Sequence, residues 1–184
     1  DPDMTATALQ ALAPYYETNA EVKATVDKAL ACLSALQNSD GGYASWGTTN
    51  SESCAQVITA LTALGIDPDN DSRFVKNGNS VVDAFLTFYV EGGGFAHVAG
   101  GGLNGMATEQ GYYTLAAYSR WMNGQTSLYD MSDVKIEAEG DTDSGDNTGE
   151  DPAVKPEEGS TPKTGDTSDM LSLIHISEPT RLGM

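Results

Sequence analysis

The sequence contains few basic residues, few residues that ligate metals and no long apolar run. It has 9 Lys and Arg against 27 Asp and Glu, which gives a formal net charge of −18. Proteins that bind nucleic acid carry a basic footprint, so this charge argues against a nucleic-acid partner. Of the 2 histidines, His175 belongs to the C-terminal run 171–181, and no Ser–His–Asp arrangement or zinc-ligand spacing can be assembled around His97, which is expected to be a hydrogen-bonding residue of a loop. We therefore expect no catalytic residue, metal or cofactor.

Neither end of the chain has the pattern of a targeting or membrane-spanning segment. The N-terminal residues include no basic n-region and no apolar h-region, so we expect any signal peptide to lie upstream of Asp1. The run LSLIHISEPTR at 171–181 resembles one translated frame of a transposase-type sequencing adapter. Glu178, Pro179 and Arg181 interrupt its apolar residues, whereas a membrane span needs about 20 mostly apolar residues. We expect 171–184 to be an artefact of sequencing.

The two cysteines, Cys32 and Cys54, allow two interpretations. They can form one disulfide in an oxidising compartment, or both can be small buried side chains. Nothing in their spacing requires a bridge, so the sequence favours the second interpretation.

The composition of the chain changes near Val134. Residues 1–134 carry apolar side chains at helical spacing, enough for one folded domain or part of one. Residues 135–160 are rich in Glu, Asp, Gly, Ser, Thr and Pro and cannot bury enough apolar surface to offset the entropy of ordering, so we predict a disordered acidic linker. Residues 161–170 form a separate short segment with a sequence signal.

Similar helical segments recur along residues 1–134. Leu12, Leu61 and Leu115 anchor three of them at spacings of 49 and 54 residues. Between these lie two other segments that match each other and lead into glycine-rich loops. The apolar periodicity predicts helices, and no segment alternates as a strand would. The five predicted helices are Thr5–Ala13, Glu21–Leu36, Ser53–Leu64, Ser80–Tyr89 and Thr108–Met122.

The glycine-rich loops contain a motif. The first copy is Lys28-Ala29-x-x-Cys32-Leu33-x-x-x-Gln37-x-x-Asp40-Gly41-Gly42-Tyr43-x-x-Trp46, and the second keeps only Gly93, Gly94 and Phe95. This motif resembles the glutamine–tryptophan motif of squalene–hopene cyclases and related α/α-toroid proteins, among them protein prenyltransferase β-subunits. The resemblance covers about residues 3–123. It implies an all-α fold, a partial α/α-toroid of helical hairpins whose N-terminal repeats are missing.

The resemblance also implies that the motif is structural. Gln37 is expected to cover carbonyls at the end of its helix and to stack on Trp46. The glycines are expected to adopt left-handed conformations that reverse the chain. The motif residues expected to have structural roles are Gln37, Asp40, Gly41, Gly42, Gly93 and Gly94.

The catalytic motifs of the proteins that the chain resembles are not found in this sequence. Terpene cyclases use an Asp-x-Asp-Asp acid, which the run Asp67-Pro68-Asp69-Asn70-Asp71 does not match. A calcium loop on this run lacks Gly at position six and Glu at position twelve, so a solvated turn is expected, with a weak calcium site as the alternative. A thioester needs a cysteine closely preceding Glu109-Gln110, and none is present.

A candidate ligand-binding surface remains. In α/α-toroids the starts of the inner helices and the glycine loops line one end of the barrel. Aromatic residues with a few polar groups are typical of ligand clefts, although each residue could instead pack between helices. The predicted surface comprises Tyr43, Trp46, Glu52, Gln56, Phe95, His97, Glu109, Gln110, Tyr112 and Tyr113.

A second signal lies in residues 161–170. The run Pro162-Lys163-Thr164-Gly165-Asp166 resembles sortase signals of the Leu-Pro-x-Thr-Gly type, with Thr161 in place of the usual Leu. The resemblance implies cleavage between Thr164 and Gly165 and attachment to peptidoglycan by a sortase-type transpeptidase.

Three functions remain open on the sequence alone. The favoured one is a secreted, non-catalytic ligand-binding or adhesion module, anchored to a Gram-positive-type cell wall, whose surface ligand is unknown. The second is a terpenoid-cyclase-like enzyme whose catalytic acid lies in the missing N-terminal repeats. The third is a structural stalk.

Overall fold

The computed structural model describes residues 1–135. Most of this part of the chain is helical, as the periodicity predicted, and each helix lies within about one turn of its predicted bounds. The helices are α1 (Pro2–Leu12), α2 (Ala20–Leu36), α3 (Ser51–Ala63), α4 (Val81–Leu86) and α5 (Gly105–Met122). Short 3-10 turns follow α1 and precede α4, at Ala13–Tyr15 and Ser72–Phe74. The rest of the predicted linker, the sorting signal and the adapter segment lie outside the described residues.

All five helices of the described part begin with side-chain caps, and those of α1, α3 and α5 follow the repeat spacing. Asp1 caps α1, Asn50 caps α3 and Asn104 caps α5, each accepting a hydrogen bond from a backbone N–H of the first turn. Such a cap satisfies an N–H group that has no partner inside the helix and stabilises the fold by about 1 kcal/mol. These three caps are 49 and 54 residues apart, the same spacings that separate the three anchoring leucines.

Helix α3 is at the centre of the described fold. Both α1 and α5 pack against α3, whereas α2 packs against α1 and α4 packs against α3. Val57, Ile58 and Leu61 of α3 are at most 2% exposed. Between α3 and α5, the hydroxyl oxygens of Thr59 and Thr114 are 3.0 Å apart and buried. This packing fixes where the first turns of α1, α3 and α5 lie.

Two β-hairpins were not predicted. Strand β1 (Ala44–Ser45) pairs with β2 (Thr48–Thr49), and β3 (Val75–Lys76) pairs with β4 (Asn79–Ser80), both antiparallel. The expectation of a strand-free domain was therefore wrong for these segments. Strands of two residues are too short to show an alternating pattern, which is why the sequence did not reveal them. Each hairpin turns through two residues of positive φ, as a type I′ turn requires.

Helix α4 is shorter than predicted: it ends at Leu86 and not at Tyr89. Beyond it, the carbonyl of Phe88 accepts a hydrogen bond from Ala96 N at 2.8 Å, and Tyr89 forms an isolated β-bridge with Phe95. Phe88 and Phe95 are 2% and 0% exposed. Burying both rings draws the chain out of the helix.

Gln37 is buried at the end of α2, but it does not stack on Trp46. Its Nε2 donates to the carbonyls of Gly41 and Phe74 at 2.8 and 2.7 Å, outside its own helix. Trp46 is at the turn of the first hairpin and is 98% exposed. The predicted stacking of Gln37 on Trp46 was therefore wrong, because the type I′ turn carries the indole away from the core.

Gly42 also differs from expectation, because its φ is not positive. Its N–H donates to Asp40 Oδ1 at 2.9 Å. A Cβ on Gly42 would lie 2.7 Å from the Thr49 methyl group, so close packing is what requires glycine here. The other motif glycines do have positive φ: Gly41, Gly93 and Gly94.

The cysteines are both free thiols. Cys54 is buried in α3, as predicted, whereas Cys32 is exposed on α2. The expectation that both are buried was therefore wrong for Cys32.

Candidate functional site

An open cleft lies where α1, α3 and α5 begin. Its volume is 380 Å³, which is within the range of small-molecule sites. The second residue of each of the three helices lines it, namely Asp3, Glu52 and Met106. The cleft therefore collects side chains from separate parts of the sequence at one end of the helices.

The two carboxylates of the cleft have hydrogen-bond partners. Asp3 Oδ2 accepts from Ser45 Oγ at 2.7 Å, which ties the first hairpin to α1. Glu52 Oε2 lies 2.8 Å from His97 Nδ1, and Ser51 N donates to the His97 carbonyl at 3.0 Å. The Glu52 side chain is 12% exposed and that of His97 is 53% exposed. These contacts hold the first hairpin against the start of α1, and they hold the loop that carries His97 against the start of α3.

A row of amide side chains runs from α1 across α3 to α5. Gln10 Nε2 donates to Gln56 Oε1 at 2.9 Å, and Gln56 Nε2 donates to Gln110 Oε1 at 3.2 Å. Gln56 Nε2 also donates to the hydroxyl of Tyr113. Burial raises the pKa of Tyr113, so this phenol is neutral at physiological pH. The row fixes the orientation of Gln56, which lines the cleft.

Trp46 is at the rim of the cleft in an unusual backbone conformation. Its φ is 55° and that of Gly47 is 83°. The left-handed region costs an L-residue about 1–2 kcal/mol and is uncommon for a bulky side chain. With 98% of its surface exposed, the indole gains almost nothing from packing to offset this cost.

Five of the ten predicted ligand-binding residues line the cleft: Trp46, Glu52, Gln56, His97 and Gln110. Tyr113 lies behind them and reaches the site only through Gln56. Glu109 and Tyr112 are exposed on α5 but do not line the cleft.

Tyr43 and Phe95 were wrong as surface candidates, because both are 0% exposed. The ring of Phe95 stacks on that of Phe85 with 4.6 Å between centroids. It also fills the space above Gly111, where a Cβ would lie 2.3 Å from the ring. These aromatics follow the motif glycines into the core and not onto the surface.

Six other residues line the cleft and were not predicted: Asp3, Thr7, Ser45, Thr48, Asn50 and Met106. The repeat spacing was a usable signal for some of them. Asp3 lies 49 residues before Glu52, and Thr7 lies 49 residues before Gln56. Extending the leucine alignment to neighbouring positions would have placed these side chains in the site.

The described residues offer little for covalent or metal chemistry. Burial raises the pKa of Cys54 to about 12, so its thiol is protonated at physiological pH and unsuited to nucleophilic attack. Within residues 1–135, no three His, Cys, Asp or Glu side chains are placed to hold a metal ion. In the acidic turn, Asp67 Oδ1 accepts from Asp69 N and Asn70 N at 2.9 and 3.2 Å. That carboxylate organises the turn itself.

Comparison of the chain with protein-family models, with curated proteins and with solved structures found no match. None of the helices in the described part is long and apolar enough to cross a bilayer.

Proposed function

We propose that residues 1–134 form a non-catalytic ligand-binding module displayed on the cell surface, with the cleft at the starts of α1, α3 and α5 as its binding site. The observation that carries this proposal is Trp46. A large aromatic residue is held exposed, in a costly backbone conformation, beside a cleft lined by polar side chains. Strain of this kind is concentrated at functional sites in proteins.

We further propose that the module is built of helical hairpins arranged as in part of an α/α-toroid. In that arrangement α1, α3 and α5 are the inner helices, and α2 and α4 pack outside them. The corresponding turns support it: the carbonyls of Tyr43 and Phe95 accept hydrogen bonds from the N–H groups of the cap residues Asn50 and Asn104, at 3.2 and 2.9 Å. A repeated hairpin brings equivalent helix starts to one end, which is where the cleft lies.

A ligand-binding role is favoured over catalysis by the state of the polar groups. Asp3 and Glu52 are held by neighbouring side chains, and Cys54 is protonated. Cys54, whose pKa is raised by burial, is the thiol that α3 could offer as a nucleophile, and it does not line the cleft. The cleft instead presents fixed hydrogen-bonding groups around an exposed aromatic ring.

Nuclear magnetic resonance of the 15N-labelled full chain tests the binding site directly. The chain has 2 tryptophans, and the indole signal of Trp121, assigned with Trp121→Phe, is an internal control. A library of soluble monosaccharides, amino acids, polyamines and aromatic fragments is added at millimolar concentration. We expect some members to shift the Trp46 indole signal and the side-chain amides of Gln56 and Gln110. If no member does so, or if binding shifts only signals of residues outside the cleft, such as Tyr129 in a separate pocket beside Pro14, the proposal is wrong.

Surface display is proposed from the sequence signal at Pro162–Gly165, which lies outside the described residues. The run Pro162-Lys163-Thr164-Gly165 supports it, because it matches the Pro-x-Thr-Gly part of the signals that sortase-type transpeptidases cleave. In a sortase-competent Gram-positive host, the chain is fused to a signal peptide and a membrane-spanning sorting tail. We expect Thr164→Ala to move the protein out of the covalently linked wall fraction, with Thr167→Ala as the matched control. Equal wall attachment of both variants would contradict the anchoring proposal.

A further inference from the structure

The charges in the cleft do not call for an ionic ligand. One oxygen of each carboxylate already accepts a hydrogen bond, Asp3 Oδ2 from Ser45 and Glu52 Oε2 from His97. The first turns of α1, α3 and α5 all meet the cleft, and helix N-termini carry partial positive charge that offsets the carboxylates. The lining includes no Lys or Arg, so an anionic ligand would meet two carboxylates without a fixed cation to pair with it.

The polar groups that remain are a mixture of donors and acceptors. Among the described residues, Gln110 Nε2 and His97 Nε2 make no hydrogen bond, and neither does Glu52 Oε1. Asp3 Oδ1 is buried without a partner. A hydroxyl group both donates and accepts, so a ligand rich in hydroxyls can use every one of these groups that it reaches.

From these groups together with Trp46, we infer that the cleft binds a neutral pyranose sugar. This inference deepens the proposed function and rests on it. One face of a pyranose ring presents C–H groups, which bury apolar surface against an indole, while its hydroxyls point outwards from the ring edge. Trp46 lies at the rim, and Glu52, Gln110 and His97 provide hydrogen-bonding groups within the same cleft. The sugar binds between them with its C–H face on the indole.

The test titrates neutral oligosaccharides into the full chain and follows the Trp46 indole signal together with the side-chain amides of Gln56 and Gln110, which also line the cleft and report binding in the variants that lack Trp46. The neutral probes are cellotetraose, maltotetraose, mannotetraose and chitotetraose, and the charged probes are tetragalacturonate and spermine. We expect at least one neutral probe to bind, with affinity lowered about tenfold by Trp46→Ala, equivalent to about 1.4 kcal/mol. Trp46→Phe is expected to restore part of that loss, because a smaller aromatic face remains. Tyr15→Ala, which removes an aromatic exposed elsewhere, is expected to leave binding unchanged.

Glu52→Gln separates a hydrogen-bonding role from a charge-pairing role. For a neutral sugar, the amide retains one acceptor and the affinity should fall only a few fold; for spermine, loss of the carboxylate should weaken binding more strongly. If spermine or tetragalacturonate shifts the Trp46 signal and no neutral probe does, the sugar inference is overturned while the proposed binding site stands. If the neutral probes bind equally well to Trp46→Ala, the inference is also overturned. If no neutral or charged probe shifts the Trp46 indole signal, the sugar inference is overturned. If the fragment library shifts no signal of the cleft either, the proposed function is wrong as well.

Discussion

The two β-hairpins share one turn geometry, but the first residue of the turn is a tryptophan in one hairpin and an asparagine in the other. In the first, Trp46 and Gly47 have φ of 55° and 83°; in the second, Asn77 and Gly78 have φ of 52° and 85°. Asn-Gly is the sequence that a type I′ turn favours, because both residues tolerate the left-handed region. Tryptophan does not, so the first turn is formed against the preference of its own residue.

The surroundings of the hairpins explain the difference. In the second hairpin, Asn77 Nδ2 donates to the Ser39 carbonyl at 3.2 Å, and Lys76 Nζ donates to Ser34 Oγ at 3.2 Å, so the turn is fastened to the end of α2. In the first hairpin, the flanking Ser45 is fastened to Asp3 while the indole of Trp46 is left exposed. One turn contributes to stability, and the other uses the same backbone to present a side chain.

Gly41→Ala is expected to have the largest effect, because it forces the second hairpin away from the glycine loop, which is the loop of Gly41 and Gly42 after α2. A Cβ at Gly41 would lie 2.4 Å from the Ser80 carbonyl, and its φ is +85°. Overpacking and left-handed strain together should lower the free energy of unfolding by about 3 kcal/mol. Gly47→Ala is the matched control: its φ is +83° with nothing within 4 Å, so it should lose only about 1 kcal/mol. Urea denaturation measures both, and equal losses would contradict the close approach.

Gln37→Ala removes the side chain that joins the glycine loop to the segment before the second hairpin. Its two hydrogen bonds, to the carbonyls of Gly41 and Phe74, are buried. Losing them leaves both carbonyls without that donor, which should cost about 2 kcal/mol. Gln125→Ala, at an exposed position after α5, should stay within about 0.5 kcal/mol of the parent. A near-neutral Gln37→Ala in urea denaturation would show that the second hairpin does not depend on this link.

Exchanging the turn residues tests the comparison itself. Trp46→Asn gives the first hairpin the favoured Asn-Gly turn, and we expect the free energy of unfolding to rise by about 0.5–1 kcal/mol. Asn77→Ala removes both the favoured residue and its hydrogen bond to Ser39, and should cost about 1 kcal/mol. Thermal and urea unfolding give the two signs. A destabilised Trp46→Asn would show that the indole contributes to packing, contrary to its exposure.

How far the sequence predicted the molecule depends on the range of each signal. The helices were predictable because Val57 and Leu61 repeat at helical spacing, and burying that stripe in α3 needs no knowledge of its neighbours. The cleft was half predictable, since Glu52 and Gln56 follow from the repeat. The motif predicted that Trp46 stacks on Gln37, although Trp46 was also a candidate for the binding surface, and its exposure depends on a two-residue hairpin that no periodicity reveals. Phe95 was predicted to be on the surface and is buried, because its packing against Phe85 is a long-range contact that the sequence pattern does not reveal.

The smallest expected effect lies beside the second hairpin, in the ion pair of Asp71 with Arg73. The Arg73 Nε and Nη2 donate to the two carboxylate oxygens of Asp71 at 2.9 and 2.7 Å. This hydrogen bonding from Arg73 is the main cause that lowers the pKa of Asp71 below its ordinary value. Because the folded pKa is the lower one, the stabilisation is fully present above the unfolded pKa and is lost as the pH falls through the folded pKa. The relevant window therefore lies below about pH 4.

Asp71→Asn isolates this charge effect, because the amide oxygen can still accept from Arg73 N, as the Asp71 carboxylate does at 3.0 Å. The Arg73 side chain is 48% exposed, so solvent screening limits the loss to about 0.2–1 kcal/mol at pH 7. Urea denaturation at pH 7 should show that difference, and the difference should shrink as the pH falls below about 4, where the unfolded chain takes up the proton that Asp71 in the folded protein resists. Glu91→Gln, at an exposed position, controls for the change in net charge. A difference for Asp71→Asn that stays constant from pH 7 to pH 3 would mean that the turn before the second hairpin is held by its backbone cap and not by the ion pair.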